Sequence, residues 1–274
     1  MIIEILKLSI VFTIGITLIL IVFGLIIGQI ERKSNNLIYR TFGRYGIILT
    51  GIIGTTVHEF SHYIMCKIFL HRVVEVKWFS LKLNIGGELG HVKHTFNPKN
   101  IYQRIGNFFI GVAPILIGTL IIIVILRLLL PNTYFNITNN IAIKEISGSI
   151  SNLNFIGFFK ELGHEFFTII KFLFSIENLS SFKFWIFIII SFSISNHMSL
   201  SKADINNSLD GIGFLFLLSL FISIVLVLLK INFYSILIYV ITFNCLLISF
   251  LSVGLLFSII SLILSSIIGF KSYL

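Results

Sequence analysis

Residues 45–69 read YGIILTGIIGTTVHEFSHYIMCKIF, an apolar run with His58, Glu59 and His62 set into it. Coiled as a helix, a run of this length rises about 37 Å and exceeds the hydrocarbon thickness of a bilayer, about 30 Å. The rest of the chain argues for a bilayer rather than a large soluble core. Of its 274 residues, 57% are hydrophobic and 11% charged, a balance outside the range of soluble domains. Apolar runs recur at 8–30, 101–130, 182–198, 212–230 and 234–260. The sequence predicts an α-helical polytopic membrane protein with about six transmembrane helices. It forms one integral-membrane domain over 1–274, because no polar stretch is long enough to build a second core.

Histidines inside such a run point to metal chemistry. Residues four apart differ by about 40° around a helix, so His58 and His62 can face one ion. Glu59 is turned about 100° from His58, which suits proton transfer with a water better than a third bond to the metal. Ionisable groups within a membrane cost roughly 2.5 kcal/mol or more to insert and mark function. Two chance core histidines would explain neither the spacing nor that cost. Two imidazoles leave a zinc ion short of its tetrahedral shell, so another segment must contribute. With alternate crossings, the end of 182–198 returns to the face where 45–69 ends. That brings the stretch 196–211 to the site, with Asp204, Asp210 and His197 as candidates for the third ligand. His197 has a second possible role, donating a hydrogen bond to the ligand carboxylate.

Charge and cysteine content narrow the partners. The net charge of +9 comes from 20 Lys and Arg against 11 Asp and Glu. In a membrane protein this places basic loops against anionic headgroups, and no aromatic-basic motif calls for nucleic acid. Cys66 and Cys245 lie in separate apolar runs and predict no disulfide. The run 8–30 is too long for a signal-peptide core and lacks a small-x-small cleavage site, so it reads as a retained scaffold helix without catalytic candidates. Abundant Ile, Phe and Asn with little Ala suggests an AT-rich bacterial genome, and with the apolar runs this makes a bacterial cell membrane the expected location.

Residues 72–96 change character. Val73-Val74-Glu75-Val76-Lys77-Trp78-Phe79 is β-branched and aromatic, and Gly86-Gly87 and Gly90 punctuate the residues after it. This predicts a β ribbon with a hairpin turn near the histidines, whose open edge can hold a peptide as an added strand. His91 and His94 fall on opposite faces of such a strand, and with His71 they read as solvated. The run 101–130 carries Gly106, Gly111, Pro114 and Gly118, which favour close helix packing and a bend or local gap at Pro114. Asn107 is a polar group within it. Residues 153–175 read as an amphipathic interfacial helix. Its His164-Glu165 pair imitates the start of the metal motif but lacks the second histidine, and no catalytic role is expected of it.

The order of these features carries a resemblance. His-Glu-x-x-His on a membrane helix, a glycine-containing hairpin, a Gly- and Pro-bearing helix and an acidic residue at a later helix junction resemble the site-2-protease type of intramembrane zinc metallopeptidase. The likeness covers 47–220. Those enzymes carry an Asn-Leu-Leu-Pro-like run ending in Leu-Asp-Gly, whose aspartate is the third zinc ligand. Here Asn196 stands eight residues before Asp204, the family's interval. Ser199 stands where proline is expected, and Ala203-Asp204-Ile205 replaces Leu-Asp-Gly, while a literal Leu209-Asp210-Gly211 comes six residues later. The resemblance implies Zn2+ held by His58, His62 and Asp204, with Asp210 or His197 as alternatives to the last. It implies Glu59 as the catalytic base, and Asn196, His197 and Asn107 behind the ligands or beside the substrate. It further implies membrane-embedded or membrane-anchored proteins or peptides as substrates. From a different class, a metal-binding transporter or a catalytically inactive binding partner would share the histidines. A transporter would need polar groups along several helices, which the outer runs lack.

Overall fold

The computed structural model describes residues 2–81, 89–140, 155–231 and 233–271. Its first helix, α1 (Ile2–Ile68), is broken at Gly43, where φ is 60° and ψ −149°. That backbone region is open to glycine and strained for residues with a Cβ. The chain reverses there. Ile38 packs so closely on Gly46 that a Cβ at residue 46 would come within 2.7 Å of Ile38 Cγ2. Glu31 lines the same cavity as Thr55 and His58. Thus α1 is a hairpin of two arms, 2–42 and 44–68.

The chain continues through β1 (Arg72–Lys77), β2 (His91–Thr95), α2 (Ile101–Leu129), α3 (Pro131–Asn140) and α4 (Phe155–Leu173). It ends with α5 (Ile176–Leu179), α6 (Phe182–Ser195), α7 (Lys202–Leu228) and α8 (Phe233–Lys271). Among the described residues, four helices are long and apolar enough to cross a membrane: α1, α2, α7 and the Thr242–Gly269 part of α8. The six expected crossings do not map onto six such helices. Runs 8–30 and 45–69 are the two arms of α1, joined by a single non-helical residue. The run 182–198 is the 14-residue α6, which stops where Asn196 turns the chain into a polar loop. The expected interfacial helix is α4, residues 153 and 154 lying outside the described stretch. It exposes His164 but buries Glu165, whose Oε2 accepts from Ser249 Oγ at 3.2 Å.

Small residues set the helix spacing. A Cβ on Gly111 of α2 would collide with Ser208 Oγ and the Asp204 carbonyl of α7, and one on Gly211 of α7 with the Phe108 backbone. Where lipid removes the hydrophobic drive between helices, such close approach supplies the packing energy. Buried hydroxyls join the first arm of α1 to its neighbours. Thr13 Oγ1 lies 2.7 Å from Ser219 Oγ of α7, and Ser34 Oγ 2.8 Å from Ser265 Oγ of α8. The apolar core between them includes Ile27, Phe108, Ile115, Ile122, Phe187 and Leu251.

The ribbon is observed. β1 and β2 pair antiparallel, with Val76 opposite Val92 and Lys77 opposite His91, and the register slips between Val73 and Glu75. Val74 therefore has no opposite residue, as in a bulge. The expected Gly86-Gly87 turn lies outside the described residues. Trp78, just past β1, leans on the second arm of α1, its ring 5.4 Å from that of Tyr63 and 6.2 Å from that of Phe60.

Candidate metal centre

His58, His62 and Asp204 come together although their helices lie far apart in sequence, and their ligand atoms all fall within 4.8 Å of one another. His58 Nε2 is 3.1 Å from His62 Nε2, His62 Nε2 is 3.3 Å from Asp204 Oδ1, and His58 Nε2 is 3.9 Å from Asp204 Oδ2. Metal–nitrogen and metal–oxygen bonds of zinc length in a tetrahedral shell hold ligand atoms about 3.4 Å apart. The three separations bracket that value.

The other nitrogen of each imidazole explains its orientation. His62 Nδ1 donates to the Ile110 carbonyl at 2.8 Å, and His58 Nδ1 donates to the His197 carbonyl at 2.7 Å. Both carbonyls are available for backbone reasons. In α2, residue 114 is proline and has no N–H with which to bond the carbonyl four residues earlier, that of Ile110. His197 lies just beyond the end of α6, where carbonyls lack helical partners. Since a carbonyl only accepts, each neutral imidazole carries its proton on Nδ1 and leaves Nε2 bare. The contact of 3.1 Å therefore sets two lone pairs against each other beside a carboxylate, an arrangement that a cation between them relieves. The donor set fits a metal ion with nitrogen and oxygen ligands, held from behind as metal-binding histidines characteristically are.

Asp204 is placed by the start of α7. Ser201 caps the helix by accepting from Asp204 N at 3.1 Å, while Asp204 Oδ2 accepts from Ser201 N at 2.8 Å. This reciprocal box fixes the carboxylate, and Asp204 is 7% exposed. The alternatives are engaged elsewhere. Asp210 pairs with Arg104 at 2.7 Å and accepts from Asn107 Nδ2 at 2.6 Å. Six residues along α7, about 1.7 turns, carry it past the histidines to a basic partner on α2. Asn107 serves that contact, not the histidine group. The His197 ring lies 3.2 Å from Thr50 Oγ1 and 3.3 Å from Thr55 Oγ1, so His197 reaches the centre through its carbonyl. Asn196 caps α6, its Nδ2 donating to the Phe192 carbonyl at 3.0 Å.

Glu59 faces the same cavity of about 330 Å3 as the three ligand residues and is 7% exposed. The ribbon covers it closely: a Cβ on Gly90 would come within 2.8 Å of Glu59 Cγ. Also facing the cavity are Glu31, His91, Val92, His94 and Ser199. The ribbon histidines are not solvated as expected. His71 Nε2 donates to the Gln103 carbonyl at 2.8 Å, and His94 Nδ1 lies 3.0 Å from His71 Nδ1. Burial lowers the His71 pKa, and burial with the neighbouring His71 brings His94 down to about 4. His91 Nε2 instead lies 3.1 Å from Glu75 Oε1. Lys93 and His91 hold the Glu75 carboxyl below its usual pKa.

Glu31 was not legible as a site residue. In the sequence it closes an apolar run and opens a charged one, and only the reversal at Gly43 brings it back beside Thr55 and His58. No family model, curated protein or solved structure matches this chain.

Proposed function

We propose that this protein is a zinc-dependent intramembrane endopeptidase acting on membrane-embedded or membrane-anchored proteins or peptides. The reading is carried by the two bare imidazole nitrogens 3.1 Å apart beside the buried Asp204 carboxylate, with Glu59 between the histidines in sequence and facing their cavity. When bound, zinc supplies Lewis-acid chemistry, making a water nucleophilic near neutral pH and polarising the scissile carbonyl. Glu59 takes the proton from the attacking water and passes it to the leaving amine nitrogen, so its carboxylate is regenerated at the end of the cycle. His58 and His62 keep their Nδ1 protons on backbone carbonyls throughout and present Nε2 to the ion.

The ribbon suits substrate binding. His91, Val92 and His94 of β2 line the cavity, and among the described residues β2 pairs with β1 alone. Among the described residues no strand pairs with its other edge, where an extended peptide can bond the backbone by strand addition. A helical amide is closed to attack, so the substrate has to unwind before it lies there.

The test is a comparison of membrane peptidomes from cells carrying the wild-type chain or Glu59→Gln, with zinc measured in both purified proteins. Glu59→Gln is expected to abolish cleavage and keep near-stoichiometric zinc. His58→Ala and Asp204→Ala are expected to lose zinc as well, and Asp210→Ala to keep it. Turnover retained by Glu59→Gln would refute the mechanism. A metal-binding, non-peptidase role would instead leave the two peptidomes identical.

A further inference from the structure

We propose that Glu31 and Asn35, one turn apart on the first arm of α1, are positioning residues that set the loop 196–201 and through it the metal centre. The proposal rests on the metal-binding reading above. Glu31 is 7% exposed and faces the ligand cavity. Its Oε2 accepts from Ser199 N at 2.5 Å and its Oε1 from Ser199 Oγ at 2.8 Å. Asn35 Nδ2 donates to the Asn196 carbonyl at 3.0 Å and lies 3.4 Å from Glu31 Oε1. One face of one helical turn thus grips the loop at residues 196 and 199.

The cargo of the loop makes this grip matter. The carbonyl between the two gripped residues, that of His197, is the one that holds His58 Nδ1. Two residues past the second grip, Ser201 caps α7 and fixes Asp204. The opposite arm of the hairpin holds the other side of the loop, through Thr50 and Thr55 against the His197 ring. The loop is therefore pinched between the two arms of α1. The first arm supplies its acceptors and a donor; the second bears His58, which the loop orients. A carboxyl group suits the task because its two oxygens meet the two donors of one residue, the Ser199 N–H and hydroxyl. With Glu31 shortened, Ser199 loses both acceptors, and the His197 carbonyl keeps only the Asn35 grip and the His197 ring contacts to set its height along His58.

The experiment measures zinc affinity by chelator competition on the purified full chain, with the visible spectrum of the cobalt(II) form as a readout of ligand geometry. Groups standing behind metal ligands change affinity about 10–100-fold when removed. Glu31→Ala is expected to bind zinc that much more weakly and to alter the cobalt(II) bands. Glu31→Gln keeps one acceptor oxygen and is expected to fall between it and wild type. Arg32→Ala, an exposed neighbour, is expected to bind as wild type does. Ser199→Ala is expected to add nothing to Glu31→Ala, since the bond it removes is already gone.

A merely structural Glu31 would lower the folded fraction and leave the affinity of the folded molecules unchanged. That result, or losses from Glu31→Ala and Ser199→Ala that multiply, would overturn the proposal. Should Glu31→Ala not fold, Glu31→Gln and Asn35→Ala read the same quantity. If the wild-type chain itself binds no zinc, the metal reading falls and this proposal with it. If wild type binds and the variants match it, only the clamp falls.

Discussion

Pro114 does for His62 what a side-chain acceptor does in many metal sites. It withholds an N–H, and the Ile110 carbonyl that would have received it takes the imidazole proton at 2.8 Å. The sequence allowed a bend or a gap at this proline, but could not say which group would use the gap, because that depends on which helix lies alongside. Pro114→Ala restores the helical donor and makes it compete with His62 Nδ1. Its expected result is a continuous α2 and zinc binding weakened about 10-fold, by analogy with other groups behind metal ligands. Chelator competition on the purified variant checks it, and unchanged affinity would mean that one carbonyl serves both donors. Asp204 was singled out by the family resemblance, whose interval from Asn196 it keeps, while crossing order alone left it level with Asp210 and His197; the structure groups it with His58 and His62. The literal Leu209-Asp210-Gly211 misleads, since Asp210 lies beyond the cap and within reach of Arg104.

Among elements, the apolar runs and the ribbon were legible because periodicity and β-branching are local properties. The path of α1 was not. Alternate crossings already imply that the two runs lie antiparallel; what the sequence hid is that helix continues through 31–42, leaving the reversal to the single residue Gly43. The His71–His94 contact escaped for a similar reason: alternation within β2 says which face His94 takes, but not that His71 stands opposite. Helix contact also makes different demands on two glycines of similar surroundings in sequence. Gly111 meets Ser208 and the Asp204 backbone directly, whereas Gly213 of α7 has open space where a Cβ would go. Gly111→Ala is expected to destabilise the fold by about 1–3 kcal/mol, the usual cost of overpacking. Gly213→Ala is expected to be neutral or to stabilise by up to about 1 kcal/mol through helix propensity. Thermal unfolding of both variants in one detergent makes the comparison, and equal midpoints would show that α2 and α7 can part without cost.

At the scale of the whole molecule, an ion between His62 and Asp204 would tie the second arm of α1 to α7, with α2 touching both. Ile110 of α2 holds His62, and its neighbour Gly111 abuts Asp204. Binding to the folded state alone stabilises it by about 4 kcal/mol when free ligand is 1,000 times the dissociation constant. Zinc is therefore expected to raise the unfolding midpoint of the wild-type chain, and a chelator to lower it. His62→Ala should respond to neither; a zinc effect that survives in that variant would place the ion elsewhere. The two carbonyls behind the histidines have one more consequence, for inheritance. Every residue has a carbonyl, so the side chain at 110 can be exchanged without removing the acceptor that aims His62, whereas at 197 the ring is also held by Thr50 and Thr55. Pro114 and Ser201 allow less latitude, because the first acts by lacking a proton and the second by offering an oxygen. A centre aimed in this way is spelled by few side chains, because part of its scaffold is backbone that every residue carries.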